Sequence, residues 1–374
     1  KRHRAEGKLV HLSERLKKYP LPGSVGIGHT RWATHGIPNE VNAHPHTTDK
    51  VAVVHNGIIE NFQNLRDELE AAGYKQASDT DTEVVAHLIT KYINDGLSPE
   101  TATAAALKRL EGAFALGIIF AEEYDLLIAA RQGSPLAIGY GDGEMFIGSD
   151  AIALAPLSQN ITYLEEGDWA IITGSGVTIK DVNNQVAARP IQETKLSGAL
   201  TGKAGYDHFM QKEIYEQPQV IGDTLHSFIN LANRTIAFPE LPIDFKTVPK
   251  ITIAACGTAF YAGLIAKYWF EKIACVSVEV DIASEFRYRG TVMPDEGLAI
   301  LISQSGETAD TLAALRFARD QKQHIVALVN VRESSIARES DSILVTRAGP
   351  EIGVASTEAF TCQLVTLAIF CIAL

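Results

Sequence analysis

Short apolar runs bounded by turn residues recur from about residue 24 to 195, among them VAVVHNGII, FALGIIFA, DLLIAAR, LAIGYGDGEMFIGS and DWAIITGSGVTI. GDG and GSG between paired runs are hairpin signals, so these segments predict largely antiparallel sheet. The Asn56-Gly57 pair is read as closing the strand VAVVH. NFQNLRDELEAAG, DTEVVAHLITKYI and PETATAAALKRL show helical periodicity and read as helices laid against that sheet. Residues 1–195 are expected to form an α+β domain of layered antiparallel sheets with helices.

The pattern then changes twice. Residues 196–213, with Gly198, Gly202 and Gly205, lose apolar periodicity and read as a linker leading into an exposed helix at FMQKEIYEQ. After Pro249, KITIAACGTAFYAGLIAKYWFEKIA is strand, small-residue turn and helix, and VSVEVDIASEF, GLAILISQSGETADTLAALRFARDQ and HIVALVNV continue the alternation. Apolar strands alternating with helices predict a parallel, doubly wound α/β domain over 214–374, with ligands at the C-terminal ends of its strands.

Composition narrows the function classes. A chain of 374 residues is long enough for at least two cores. Its 33 basic and 45 acidic residues give a net charge of -12 with no basic stripe, which excludes nucleic acid as a partner. The longest apolar tract, LVTLAIFCIAL from Leu364, is too short to cross a bilayer, so no membrane partner is expected and the tract reads as a buried helix. Cys256, Cys275, Cys362 and Cys371 form no CxxC pair, which points to reduced thiols and a cytoplasmic setting. KRHRAEGKLVHL lacks a signal-peptide core, and the helical pattern entered near Ser356 meets no stop signal before Leu374. The chain therefore reads as a fragment truncated at both ends.

Two stretches carry candidate chemistry. SQSGETADT, residues 303–311, follows an apolar strand and precedes a helix, so its backbone N–H groups and the hydroxyls of Ser303, Ser305 and Thr308 can face an anion on the helix dipole. It has no lysine and no Walker pattern, which favours a sugar phosphate over a nucleotide with Mg²⁺. Simple helix capping is the competing reading. Two further hydroxyl-bearing turns, CGTA at 256–259 and VASTEAF at 354–360, belong to the same expected sheet edge. HTRWATHGIPNEVNAHPH, residues 29–46, holds His29, His35, His44 and His46; it is either a metal site or a pocket for a small charged substrate anchored on Arg31. An extended HPH would point His44 and His46 to opposite faces, which disfavours the metal.

ACGTAFYAG, ISQSGETADT, EIGVASTEAF and HFMQKEIYEQP resemble the first sugar-isomerase (SIS) domain and the interdomain segment of the glucosamine-6-phosphate synthase family. HTRWATHG, HPH, VVHNGIIEN and SDTDTE resemble the glutaminase domain of the same family, which has the N-terminal-nucleophile fold. The resemblance implies that Gly257, Thr258, Ser303, Gln304, Ser305, Thr308, Val354 through its backbone, and Ser356 hold fructose 6-phosphate. Ala259 and Glu358 depart from the family, which carries serine and lysine there. For L-glutamine, Arg31 would chelate the carboxylate and Asp81 the ammonium, with Asn56 and Gly57 as the oxyanion hole. Thr34 and His35 would line the pocket, and Trp32 would gate an ammonia channel.

The implied activity is conversion of fructose 6-phosphate and glutamine to glucosamine 6-phosphate and glutamate, by a cytoplasmic homodimer without cofactor or metal. A glutaminase of this kind attacks with an N-terminal cysteine, yet the first thiol here is Cys256. That nucleophile and the isomerase acid and base groups are expected outside the chain, leaving the fragment itself inactive. A rival reading is a sugar-phosphate-binding regulatory protein without catalysis, which has no use for Arg31, Asn56, Gly57 and Asp81 in this order. Another is a different amidotransferase, which would need a phosphoribosyl-pyrophosphate or ATP loop that SQSGETADT does not provide.

Overall fold

Along Leu127–Gln132 the side chains alternate between two interiors: Leu127 and Ala129 enter one core, Ile128 and Ala130 the other. Period-2 burial on both faces is the mark of a strand inside stacked layers. The computed structural model describes residues 1–31, 35–193, 203–230, 233, 235–236, 238 and 247–374. Contacts divide the chain into two units, Lys1–Gly198 and Ala199–Leu374.

The first unit opens with α1 (Leu9–Lys18), β1 (His46–Thr47) and β2 (Val51–Ile59), followed by α2 (Phe62–Ala71), α3 (Glu83–Asn94) and α4 (Pro99–Leu107). Next come β3 (Gly112–Phe120), β4 (Leu127–Gln132), β5 (Ala137–Tyr140) and β6 (Met145–Gly148). The unit closes with α5 (Ala151–Leu154), β7 (Asn160–Tyr163), β8 (Trp169–Thr173), β9 (Gly176–Lys180) and β10 (Gln192–Glu193). A six-stranded sheet runs in the order β1-β2-β3-β4-β8-β9 and a four-stranded one in the order β10-β7-β5-β6, with antiparallel pairing throughout. Leu65, Leu69, Val85, Leu88 and Ile89 of α2 and α3 cover one face of the larger sheet. Leu136, Ile138 and Leu164 fill the space between the sheets.

Two local expectations are corrected here. Asn56 and Gly57 do not close the strand: β2 runs on to Ile59, with Gly57 opposite Phe114 of β3. Nor does HPH run extended. The His44–Pro45 peptide is cis, and the His44 and His46 rings meet edge to face at 4.9 Å.

The second unit begins with α6 (Phe209–Phe228) and the short strands β11 (Ile229–Asn230) and β12 (Thr235–Ile236). β13 (Ile251–Ala255) leads into α7 (Gly257–Trp269), which ends in a π-helical turn, Phe270–Ala274. β14 (Val278–Ile282), α8 (Ala283–Phe286), β15 (Leu298–Ser303), α9 (Ala309–Asp320), β16 (His324–Val329), α10 (Ser335–Arg338), β17 (Ser342–Val345) and α11 (Glu358–Ala373) follow. The sheet is parallel in the order β14-β13-β15-β16-β17. Ile253, Ile300 and Leu328 face a core built with α7 and α11; Ala254, Leu301 and Ala327 face another built with α9. Helices on both faces make this the doubly wound fold expected, with its topological switch between β13 and β15.

The helix expected to be exposed is not. α6 continues through Pro218 and packs along α11, burying Lys212, Glu213, Val220, Thr224 and Phe228. Its polar sequence hides this contact because two of the buried residues are charged. Among the described residues, no helix is long and apolar enough to cross a membrane.

Candidate functional site

In the first unit a cavity of about 240 Å³ opens where β2 meets the turn before α3, lined by Arg31, His35, Asn56, Gly57 and Asp81 together with His29, His44, His55, Thr80 and Thr82. Trp32 and Thr34 lie outside the described residues. Asp81 is 3% exposed, and its Oδ2 accepts the N–H of Ile59 at 2.8 Å. That bond ties the acidic turn to the strand bearing Asn56 and Gly57. At Gly57, with φ of 136°, an added Cβ would lie 2.0 Å from the Ala113 carbonyl oxygen, so only glycine admits this approach of β3. Arg31 stands in the left-handed region and donates to the carbonyls of His35 at 2.6 Å, Gly36 at 2.9 Å and Ile37 at 3.1 Å. The guanidinium is thereby fixed at the cavity wall.

Behind the wall, the turn that carries Asp81 is held by Glu83, whose carboxylate accepts the N–H groups of Ala77 and Ser78 and the Ser78 hydroxyl. Burial opposes its ionisation, but the nearby His87 imidazole, 3.6 Å away, and the hydrogen bonds from Ser78 and Ala77 prevail and hold it at about 2. The histidines behave differently. Burial, reinforced by the neighbouring imidazoles and Arg31, lowers His44 to about 2 and His29 to about 4. Burial and the nearby Arg4 lower His46 to about 4. These rings are neutral at pH 7. Among the described residues, no three His, Cys, Asp or Glu side chains gather as a metal-binding group.

Sequence reasoning missed His55 as a site residue. It is 3% exposed, and its Nδ1 lies 3.0 Å from Thr82 Oγ1 and 3.8 Å from Asp81. The only available signal was a histidine embedded in the apolar run VAVVH.

In the second unit a cavity of about 460 Å³ sits at the C-terminal ends of β13 and β15. Gly257, Thr258, Ser303, Gln304, Ser305, Thr308, Val354 and Ser356 all line it, with Cys256, Ala259 and Gln363. Thr308 occupies the N-cap position of α9 but makes no side-chain cap; its Oγ1 instead lies 2.8 Å from Ser303 Oγ. Helix capping therefore does not account for that hydroxyl. Ser303 Oγ also accepts the Gly306 N–H at 3.0 Å, and Ser305 Oγ the Glu307 N–H at 3.2 Å. The first turn of α9 thus presents a positive dipole end beside two clustered hydroxyls, an arrangement suited to an anion.

The third turn is built otherwise. Glu351 accepts the N–H groups of Thr357 and Ala359 and the Ser356 hydroxyl at 3.0 Å, so the N-terminus of α11 already has its carboxylate. Glu213 of α6 accepts the N–H groups of Ile352 and Gly353, both at 2.7 Å, and braces the backbone leading to Val354. Glu358 is 2% exposed. Burial, followed by the repulsion of Glu216, Glu213 and Glu351, pushes its carboxyl up to about 8.

Two layered antiparallel sheets with a polar cavity are followed by a doubly wound sheet whose strand ends present clustered hydroxyls beside a helix N-terminus. Family models match both halves: residues 29–156 match the glutamine amidotransferase domain and residues 245–373 the SIS domain. The chain is 57% identical over 367 residues to the isomerizing glutamine–fructose-6-phosphate aminotransferase of Mesorhizobium japonicum, covering 98% of this chain and 60% of the relative. The equivalent protein of Bradyrhizobium diazoefficiens is 58% identical over 373 residues, covering 100% and 61%. The chain thus spans about three fifths of the length of these relatives. A solved structure, the C-terminal domain of glucosamine-fructose-6-phosphate aminotransferase from Francisella tularensis, is 48% identical over 46% of this chain and 48% of that one, with a TM-score of 0.43. The resemblance to the glucosamine-6-phosphate synthase family holds along nearly the whole sequence.

Proposed function

We propose that this chain forms part of an isomerising glutamine:fructose-6-phosphate aminotransferase, holding L-glutamine in the first cavity and fructose 6-phosphate in the second. The parent enzyme releases ammonia from glutamine and delivers it to the sugar, yielding glutamate and glucosamine 6-phosphate. We place it in the cytoplasm as a homodimer, on the family resemblance alone.

The observation that carries this reading is the charge pattern of the two cavities. An amino acid needs a fixed cation and a fixed anion, and Arg31 and Asp81 line one cavity. Asn56 and Gly57 would then receive the developing charge on the amide oxygen as its carbon is attacked. A phosphate monoester needs hydroxyls and N–H groups without a metal; the turn 303–308 offers the hydroxyls and the first turn of α9, which has no side-chain cap, the N–H groups. No thiol lines the first cavity, since the first cysteine in the sequence is Cys256 of the second unit.

Calorimetry with fructose 6-phosphate, fructose and ATP with Mg²⁺ tests the assignment. Fructose 6-phosphate binds and the other two do not; equal binding of fructose, or tighter binding of the nucleotide, overturns it.

A further inference from the structure

α11 is an apolar helix with two buried polar side chains that do not bond its own backbone: Glu358, which lies beside Glu213 and Glu216 of α6, and Gln363. Thr361 and Thr366 donate their hydroxyls to carbonyls one turn back, at Glu358 and Cys362. Gln363 does not. It is 2% exposed and lines the second cavity, and its Oε1 is sealed from solvent without a hydrogen-bond partner among the described residues. Across the same cavity Gln304 Nε2 is likewise buried and unpartnered. A buried amide left unpaired is a cost that packing alone gives no reason to keep, because leucine or methionine would fill the same space.

The cavity has two chemically distinct parts. Ser303, Ser305 and Thr308 with the α9 terminus suit the dianion. Gln363 is the α11 side chain that lines the cavity, and residue 259, which also lines it, offers only a methyl group. We propose that Gln363 is a sugar-reading residue, its amide receiving a hydroxyl of the carbon chain of the bound ketose phosphate while the 303–308 turn holds the phosphate. An amide presents both an acceptor and a donor, so either orientation serves a hydroxyl group. Such a contact sets specificity: a site built to bond a hydroxyl discriminates against the analogue lacking it. The inference rests on the reading of this cavity as a sugar-phosphate site.

The test uses the whole chain and calorimetry with fructose 6-phosphate, its monodeoxy analogues and inorganic phosphate. Gln363→Met, which keeps length and apolar packing, weakens fructose 6-phosphate about tenfold and leaves inorganic phosphate within about twofold. The unaltered protein, which needs no substitution to fold, discriminates against one monodeoxy analogue, and Gln363→Met erases that discrimination. Equal affinity of both proteins for fructose 6-phosphate, a parallel loss of inorganic phosphate, or indifference of the unaltered protein to every deoxy analogue overturns the assignment. If the unaltered protein binds fructose 6-phosphate no better than fructose, the failure belongs to the sugar-phosphate reading itself.

Discussion

Asp81 holds the backbone of Ile59 through a 2.8 Å hydrogen bond, so the residue proposed to receive the glutamine ammonium also anchors the strand that bears Asn56 and Gly57. The two roles separate by substitution. Asp81→Asn keeps an oxygen for the Ile59 N–H but removes the charge. It should change stability by less than about 1 kcal/mol while weakening L-glutamine at least about tenfold. Thermal melts and calorimetry measure the two effects, and unchanged affinity removes Asp81 from the clamp.

Gly57→Ala sets a methyl 2.0 Å from the Ala113 oxygen, at a φ that L-residues rarely adopt. β2 or β3 must shift, and the expected loss is about 2 to 4 kcal/mol of stability. Denaturant unfolding followed by far-UV circular dichroism reads it. A variant as stable as the parent shows that the strand pair yields without cost.

Asn-Gly is the strongest short hairpin signal, and that is why this stretch misleads a reader of sequence. What keeps β2 extended is its pairing with Gly112–Phe120, a partner more than fifty residues away in sequence that no local rule can see. The doubly wound half is legible because each apolar strand is followed at once by its helix. The turns CGTA, SQSGETADT and VASTEAF, with the hydroxyls of Ser303, Ser305 and Thr308, were legible for the same reason, while Gly257, Thr258, Gln304, Val354 and Ser356 were singled out by the family resemblance; all eight line one cavity. Gln363 was not legible, because it sits within an apolar helix and only the packing of α11 shows which way it faces.

Glu358 gives a pH signature. Its carboxyl keeps a proton up to about 8 in the folded chain but releases it near 4.5 when unfolded. The stability it allows at low pH is therefore lost progressively as pH rises from about 4.5 to about 8, and the loss is constant above that. Glu358→Gln should accordingly raise the melting temperature by an amount that grows across this window and then levels. Glu358→Lys, which places a cation among Glu213, Glu216 and Glu351, should raise it further at pH 8. A parent–variant difference that does not depend on pH refutes the account. His29, His44 and His46 act with the opposite sign: their protons bind more tightly in the unfolded chain, so acid below about pH 6.5 destabilises the first unit.

Ser303 and Thr308 touch each other but should not be equivalent. Ser303 is 3% exposed and accepts the Gly306 N–H, so Ser303→Ala disturbs the turn and lowers both stability and fructose 6-phosphate affinity. Thr308→Val keeps the side-chain shape and removes only the hydroxyl. It should cost about tenfold in affinity with the melting temperature unchanged. Retained affinity in Thr308→Val places the phosphate elsewhere.

The grip of Glu213 on Ile352 and Gly353 decides how the second unit can be excised. A gene fragment begun at residue 245, where the SIS match starts, would encode the whole parallel sheet and both hydroxyl turns, yet leave the segment ahead of Val354 without its brace and the inner face of α11 uncovered. The smallest self-sufficient form of the second unit therefore begins at or before Phe209, and protease nicking within α6 should abolish the proposed sugar binding as surely as nicking at the cradle itself.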